Sequence, residues 1–307
     1  MPPIDLDFAI NGRAAASRAR RLRAIALMCL TILMFAVLDT TGKYMVTTAG
    51  LPVSQVVWVR FLSQAVITLL IFGPLAVSRL ATSNKLGGQI GRSTLMFIIT
   101  ILNFIALKKL QLDQNITIFF LSPLVIAALS GPLLGEWIDW RRALAICVGF
   151  LGVLVVIRPG FGGFQPAYLV AICAMLCYSL FNISTRYLAA FDASEVTFFY
   201  SPLVGCVASA PFALAYWQAP QDLTTWLLLC SMGVSGGLGH WLLILAHRDA
   251  PAPILAPFVY TGLLWVGLGG YIVFGDVPAY WTIGGCAIVI ASGIYLISRE
   301  QHRQVQG

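Results

Sequence analysis

The stretch Phe35-Ala-Val-Leu-Asp39-Thr-Thr-Gly-Lys43-Tyr44-Met45 sets an acid and a base four residues apart inside a run that otherwise reads as apolar helix, between MCLTILM and LPVSQVVWV. A charge near mid-bilayer costs at least ~2.5 kcal/mol on insertion scales, so it needs a cause. Shifting the chain by 143 residues lays the stretch over Tyr178-Ser-Leu-Phe-Asn182-Ile-Ser-Thr-Arg186-Tyr187-Leu188. Asp39 then meets Asn182, Lys43 meets Arg186, and Tyr44 meets Tyr187. A shift of 140 lays Ala106-Leu-Lys108 over Ala246-His-Arg248, Phe120 over Tyr260, Gly135-Glu136 over Gly275-Asp276, and Trp140 over Tyr280. Charged and aromatic positions coincide, which points to an internal repeat rather than shared greasiness.

The composition says what repeats. Of 307 residues, 59% are hydrophobic and 10% charged, with a mean hydropathy of +0.87. Soluble domains are roughly a quarter charged, so this is a polytopic membrane protein. Runs of the ~20 residues needed to cross ~30 Å of hydrocarbon predict ten spans, near 24–46, 54–78, 93–110, 114–134, 142–158, 166–189, 196–217, 224–246, 251–274 and 279–298.

Basic residues orient them. Arg13, Arg18, Arg20, Arg21 and Arg23 of the N-terminal tail fall on one side. Arg79, Lys85, Arg92, Arg141, Arg142, Arg186, Arg248, Arg299 and Arg303 join them, against Lys43, Lys108, Lys109 and Arg158 on the other. The asymmetry places both termini in the cytoplasm of a bacterial inner membrane. The net charge of +7 therefore sets topology and gives no nucleic-acid groove.

The expected architecture is an all-α polytopic membrane protein of ten transmembrane helices in two inverted five-helix repeats, because five spans per half turn the second half over. The boundaries are a basic tail 1–23, a first repeat 24–158, a linker 159–163, a second repeat 164–298 and a tail 299–307. Inverted repeats recur in secondary transporters, with the cargo site at the midplane where the halves meet. Seven cysteines all sit in apolar runs. Cys173 and Cys177 share a helix face, but no further ligands accompany them. No metal and no cofactor is expected. The partners are a small-molecule cargo and the lipid bilayer, and a monomer suffices for such a cavity.

The chain resembles the drug/metabolite transporter superfamily in its ten-span EamA-type branch. The resemblance is carried by Asp39-x3-Lys43-Tyr44, by Arg60 in Val-Trp-Val-Arg-Phe, and by Leu121-Ser-Pro123 running on to Gly135-Glu136. In the second half it is carried by Ala256-Pro257-Phe-Val-Tyr260 running on to Phe274-Gly275-Asp276. Asp276 stands where the family usually shows Glu. Within the superfamily the chain is similar to bacterial exporters of aromatic and neutral amino acids. That resemblance implies a cavity lined by the first four helices of each half, alternating access, and export of amino acids. Uptake of a cationic or nucleoside-like metabolite such as S-adenosylmethionine, with Asp39 as counter-charge, is the alternative.

Asp39 lies about fifteen residues, or ~22 Å, into its span, too deep for a short side chain to reach water. It meets cargo or a proton, or it neutralises Lys43 on its own helix. Lys43 and Tyr44 suit an interface anchor, with cargo contact the other reading of Lys43. Asn182 either glues helices or touches cargo. Arg60 binds a cargo carboxylate or snorkels outward. His240 is a second candidate for proton coupling, or a hydrogen-bonded core histidine. Asn103, Phe120, Tyr178, Tyr200, Tyr260 and Trp265 complete the candidate site as amphipathic groups of a mostly apolar pocket, each individually a packing residue otherwise. Glu136 and Asp276 read as interface carboxylates. Gly233-Val-Ser235-Gly236 matches an intramembrane serine protease pattern, but His240 is five residues on, about 500° around the helix, and off its face.

Overall fold

The computed structural model describes residues 6–134, 140–158, 164–249, 255 and 258–306. Gly135, Glu136, Ala256, Pro257 and the linker 159–163 lie outside the described residues. The described chain is all-α and builds a membrane protein. Its helices are α1 (Leu6–Thr47), α2 (Val53–Phe72), the short α3 (Val77–Leu80), α4 (Leu86–Leu107), α5 (Leu112–Phe119), α6 (Ser122–Leu134) and α7 (Trp140–Ile157). They continue with α8 (Pro166–Leu188), α9 (Ser194–Tyr200), α10 (Leu203–Ala215), α11 (Leu223–Asp249), α12 (Gly262–Phe274) and α13 (Tyr280–Gln306). Among the described residues, six helices are long and apolar enough to cross a bilayer, and four shorter apolar ones accompany them.

Several boundaries differ from expectation. Helix α1 begins at Leu6, so most of the basic tail is helical, and α13 runs on through the expected C-terminal tail to Gln306. Helix α2 stops at Phe72, where Gly73 with φ 78° precedes Pro74. Helix α4 starts at Leu86 rather than near 93, which takes Arg92 out of a loop and into a helix.

The runs 114–134 and 196–217 are each broken in two. One break precedes Ser122-Pro123 and the other falls at Ser201-Pro202. A proline ring lacks the N–H and clashes with the carbonyl four residues back, so the ladder loses a bond there and the helix is kinked or broken. Backbone freed inside a membrane protein must find partners within the protein. Here Ser93 Oγ of α4 donates to the carbonyls of Tyr200 at 2.8 Å and Ser201 at 3.0 Å.

The helices pack in a definite order. Helix α1 lies against α11 and α12, α4 against α8, α2 against α10 and α11, α5 against α12, and α7 against α13. Close approaches are made by glycine. A methyl group on Gly152 of α7 would sit 2.8 Å from the carbonyl oxygen of Gly285 on α13. On α11, a methyl group on Gly233 would meet Ser63 of α2, and Gly236 and Gly237 also face α2. The Gly-x-Ser-Gly pattern is thus a packing seam between α11 and α2. Outward-facing side chains such as Leu70, Val207, Phe212, Leu227 and Ile272 are more than 60% exposed, an apolar surface suited to lipid.

Candidate functional site: a cavity closed at one end

Four helices turn one stripe each toward a common space. Positions 32, 35, 36 and 39 of α1, 92, 96, 99, 100 and 103 of α4, 178, 181, 182 and 185 of α8, and 240, 243 and 244 of α11 line a cavity of about 350 Å³. These spacings of three and four residues are single helical faces. Residues of α5 and the turn after it, with Val259 and Tyr260, complete the wall.

One end of the cavity is polar. Asn103 Nδ2 donates to Asp39 Oδ1 at 3.0 Å, and Asn115 Nδ2 donates to Asn103 Oδ1 at 2.7 Å. The side-chain Oδ1 of Asn115 is buried without a hydrogen-bond partner among the described residues. Arg60 is 5% exposed and within electrostatic reach of Asp39. Its Nη1 donates to Thr100 Oγ1 at 3.3 Å, while its Nε has no partner among the described residues. The side walls are aromatic. Phe119 meets Tyr178 edge-on at 5.7 Å, Tyr178 stacks on Phe181 at 6.4 Å, Phe120 meets Tyr260 at 5.1 Å, and Phe35 meets His240 at 5.0 Å between ring centroids. Asn182 Nδ2 donates to the Tyr178 carbonyl of its own helix at 2.7 Å.

Beyond Asp39 the bundle is shut. Gly275 takes the left-handed conformation at φ 68° and caps α12, which only glycine adopts without cost. The turn brings Asp276 back to α1, where Lys43 Nζ donates to its Oδ2 at 2.9 Å. Gln111 Nε2 reaches the other oxygen at 3.4 Å, and Lys43 also lies 4.5 Å over the Phe274 ring. Alongside, Gln55 and Gln218 exchange hydrogen bonds of 2.8 and 2.9 Å. At the opposite end the cavity lining extends to Ala189, Asp192, Ser194, Thr197 and Phe198. There Asp192 accepts from Ser83 Oγ at 2.5 Å, the Asn84 amide at 2.7 Å and Gln89 Nε2 at 2.9 Å. Burial works against the charge of Asp192, and these donors outweigh it, holding its carboxyl below the ordinary aspartate value.

The structure brings Asp39, Arg60, Asn103, Phe120, Tyr178, Asn182, His240 and Tyr260 onto the cavity wall. Lys43, Tyr200 and Trp265 are not on it. Lys43 belongs to the closure, and its ionic partner is Asp276, not Asp39. Asp276 is correspondingly 22% exposed at its side chain and is held by Lys43 and Gln111 rather than free at an interface. Tyr200 donates its hydroxyl to the Ala81 carbonyl at 2.5 Å. Trp265 packs into the core with its indole nitrogen unpartnered among the described residues. Missed by sequence reasoning were Arg92, Thr100 and Thr185, which continue the stripes of Asn103 and Asn182 at helical spacing. Among the described residues no cluster of His, Cys, Asp or Glu could hold a metal.

An all-helical membrane protein built around a cavity with a polar end and aromatic walls has the form of a small-molecule carrier. The EamA-like transporter family matches residues 22–158 and again 165–299. The chain belongs to that family, within the drug/metabolite transporter superfamily. It is 28% identical over 269 residues to a riboflavin transporter of Vibrio cholerae, covering 87% of this chain and 90% of the relative. An S-adenosylmethionine uptake transporter of Rickettsia prowazekii is 25% identical over 280 residues, covering 91% and 94%. A crystal structure superposes with a TM-score of 0.60 at 17% identity, covering 92% of this chain and 97% of the other, which shows the shared fold.

Proposed function

We propose that the chain is a secondary carrier for a metabolite that joins a planar nitrogen heterocycle to a polar chain, moved by alternating access through this cavity. The observation that carries the reading is the pairing of an Asp39–Asn103–Asn115 hydrogen-bonding pole with walls of Phe119, Tyr178 and Phe181. Offset or edge-to-face ring contacts add ~0.5–1.5 kcal/mol each beyond burial. The N–H edge of a heterocycle suits the acceptors of Asp39. A volume of about 350 Å³ lies within the ~300–1,000 Å³ typical of small-molecule sites. Riboflavin and S-adenosylmethionine, the cargoes named for two relatives, both have this chemistry: isoalloxazine with ribityl, adenine with ribose. Asp39, Arg60, Asn103, Phe120, Tyr178, Asn182, His240 and Tyr260 are the cargo contacts in this reading, with Asp39 and His240 also placed to carry a coupling proton.

The same reading takes the long and short apolar helices as ten spans in two inverted halves. One family match falls on each half. The α1–α11 contact has its image in the α8–α4 contact. Phe120 touches Tyr260, the residue that the sequence shift assigns to it, as residues beside a two-fold axis do. With both termini cytoplasmic in a bacterial inner membrane, the cavity faces the cytoplasm and Lys43–Asp276 closes the periplasmic side.

Export of neutral and aromatic amino acids is the second reading. It is favoured by Asp39 beside Arg60, which suits an ammonium and a carboxylate. Counterflow into proteoliposomes separates the two. Riboflavin or S-adenosylmethionine exchange, with phenylalanine and leucine inert, is expected. Exchange of the amino acids alone overturns the heterocycle reading.

A further inference from the structure

Arg92 lies in the second turn of α4, on the cavity wall, and is only 6% exposed. Its Nε donates to Thr185 Oγ1 at 2.6 Å, and its Nη1 donates to Ser201 Oγ at 2.8 Å and to the Thr197 carbonyl at 3.4 Å. Its guanidinium lies 4.2 Å over the ring of Phe181. All four partners are neutral. Among the described residues the ion pairs are Arg23–Asp249 and Lys43–Asp276, and no carboxylate lies within pairing distance of Arg92. The nearby wall carboxylate, Asp192, already serves Ser83, Asn84 and Gln89. No hydrogen bond from Nη2 is made among the described residues.

A guanidinium is always charged, and a buried charge is ordinarily paired. Arg60, deeper in the same cavity, has Asp39 within electrostatic reach. Arg92 has only dipoles and a ring face, and it borders a space into which cargo enters. With Nε and Nη1 engaged, its Nη2 keeps N–H donors for a charge-assisted hydrogen bond to a carboxylate or phosphate oxygen. Arg92 and Asn103 are eleven residues apart on one face of α4, about 16 Å along the axis. The cavity therefore has a hydrogen-bonding pole at its closed end and a cationic group nearer its mouth.

We propose that Arg92 is an anion subsite that takes a carboxylate or phosphate at the end of the cargo remote from the ring. The proposal rests on the cavity being the cargo site, and it names a second recognition element there. Matched pairs of probes isolate it: S-adenosylmethionine against its decarboxylated form, and riboflavin 5′-phosphate against riboflavin. Equilibrium binding of all four is measured on the full chain in detergent, for wild type, Arg92→Gln, Arg92→Lys and Ser201→Ala.

In at least one pair the wild type is expected to favour the anionic member by about tenfold or more. Arg92→Gln brings that ratio close to one, Arg92→Lys keeps part of it, and Ser201→Ala, which removes a supporting bond but no charge, retains it. Which pair responds tells carboxylate from phosphate. Equal binding within both pairs by wild type overturns the proposal. So does a parallel loss of both members in Arg92→Gln, which is the behaviour of a purely structural cross-link. If none of the four binds, the heterocycle reading fails on its own. The subsite is then decided by phenylalanine against phenethylamine in thermal stabilisation, and no preference of wild type over Arg92→Gln for the carboxylate overturns it.

Discussion

Removing the charge of Lys43 is expected to loosen the closed end of the cavity. The ammonium and the Asp276 carboxylate are 2.9 Å apart with side chains 10% and 22% exposed. A fully buried pair broken on one side costs ~3–5 kcal/mol because the remaining charge is stranded. Asp276 keeps Gln111 and some solvent, so about 1–3 kcal/mol is a fair share here. That corresponds to a shift of roughly 5–150-fold in the opening equilibrium. Amide hydrogen exchange reads it directly, at the Gly275 and Asp276 amides that close the end of α12 and at the last turn of α1. Lys43→Gln and Asp276→Asn each accelerate exchange there. The double neutral variant is expected to cost less than the sum, and the swapped pair Lys43→Asp with Asp276→Lys restores part of the protection. Additive effects with no coupling between the two positions, or single variants that exchange like wild type, would refute the pair as the closure.

Asp39→Asn keeps the shape of the polar pole and removes its charge, so counterflow is expected to fall at least tenfold with little change in melting temperature. Lys43→Gln is instead expected to alter gating. Gly152→Leu drives a side chain into the backbone of α13, where even a methyl group would sit 2.8 Å from the Gly285 oxygen. Overpacking of ~1–3 kcal/mol or more is expected to lower the melting temperature by several degrees. Asp192 titrates below the ordinary aspartate value in the folded protein. Its stabilisation is therefore complete above the unfolded-state pKa and is lost as pH falls through the folded one. Asp192→Asn is expected to melt lower than wild type at pH 7, and the two curves are expected to converge as pH falls below about 3 to 4, the unperturbed aspartate range.

Local periodicity made much of this architecture legible. The face of α1 that carries Asp39 also carries 32, 35 and 36, and Asn103 and Asn182 sit on comparable stripes. What periodicity cannot see is a partner far along the chain. Lys43 lies 233 residues from Asp276, so the nearest acid in sequence, Asp39, looked like its mate. Arg92 was hidden by a different effect. A basic residue at the edge of an apolar run reads as a topology signal, and only the earlier start of α4 at Leu86 puts it on the Asn103 face. Its spacing of four to Met96 and eleven to Asn103 was the available clue. The interruptions at Ser122-Pro123 and Ser201-Pro202 were readable from proline geometry, but the hydrogen bonds that Ser93 donates to the carbonyls freed at the second needed the fold.

The seam between α7 and α13 limits how any of this can move. Gly152 and Gly285 meet backbone to backbone, with Val156 and Val289 closing on either side. At most crossings side chains hold the two backbones apart, but here the backbones themselves touch. A displacement of even a methyl's width would drive carbonyl into carbon. A few residues earlier on α7, a methyl group on Gly149 would meet Leu121 and Leu124 as well as Ser292 of α13, so the same seam also seats the chain where α6 begins.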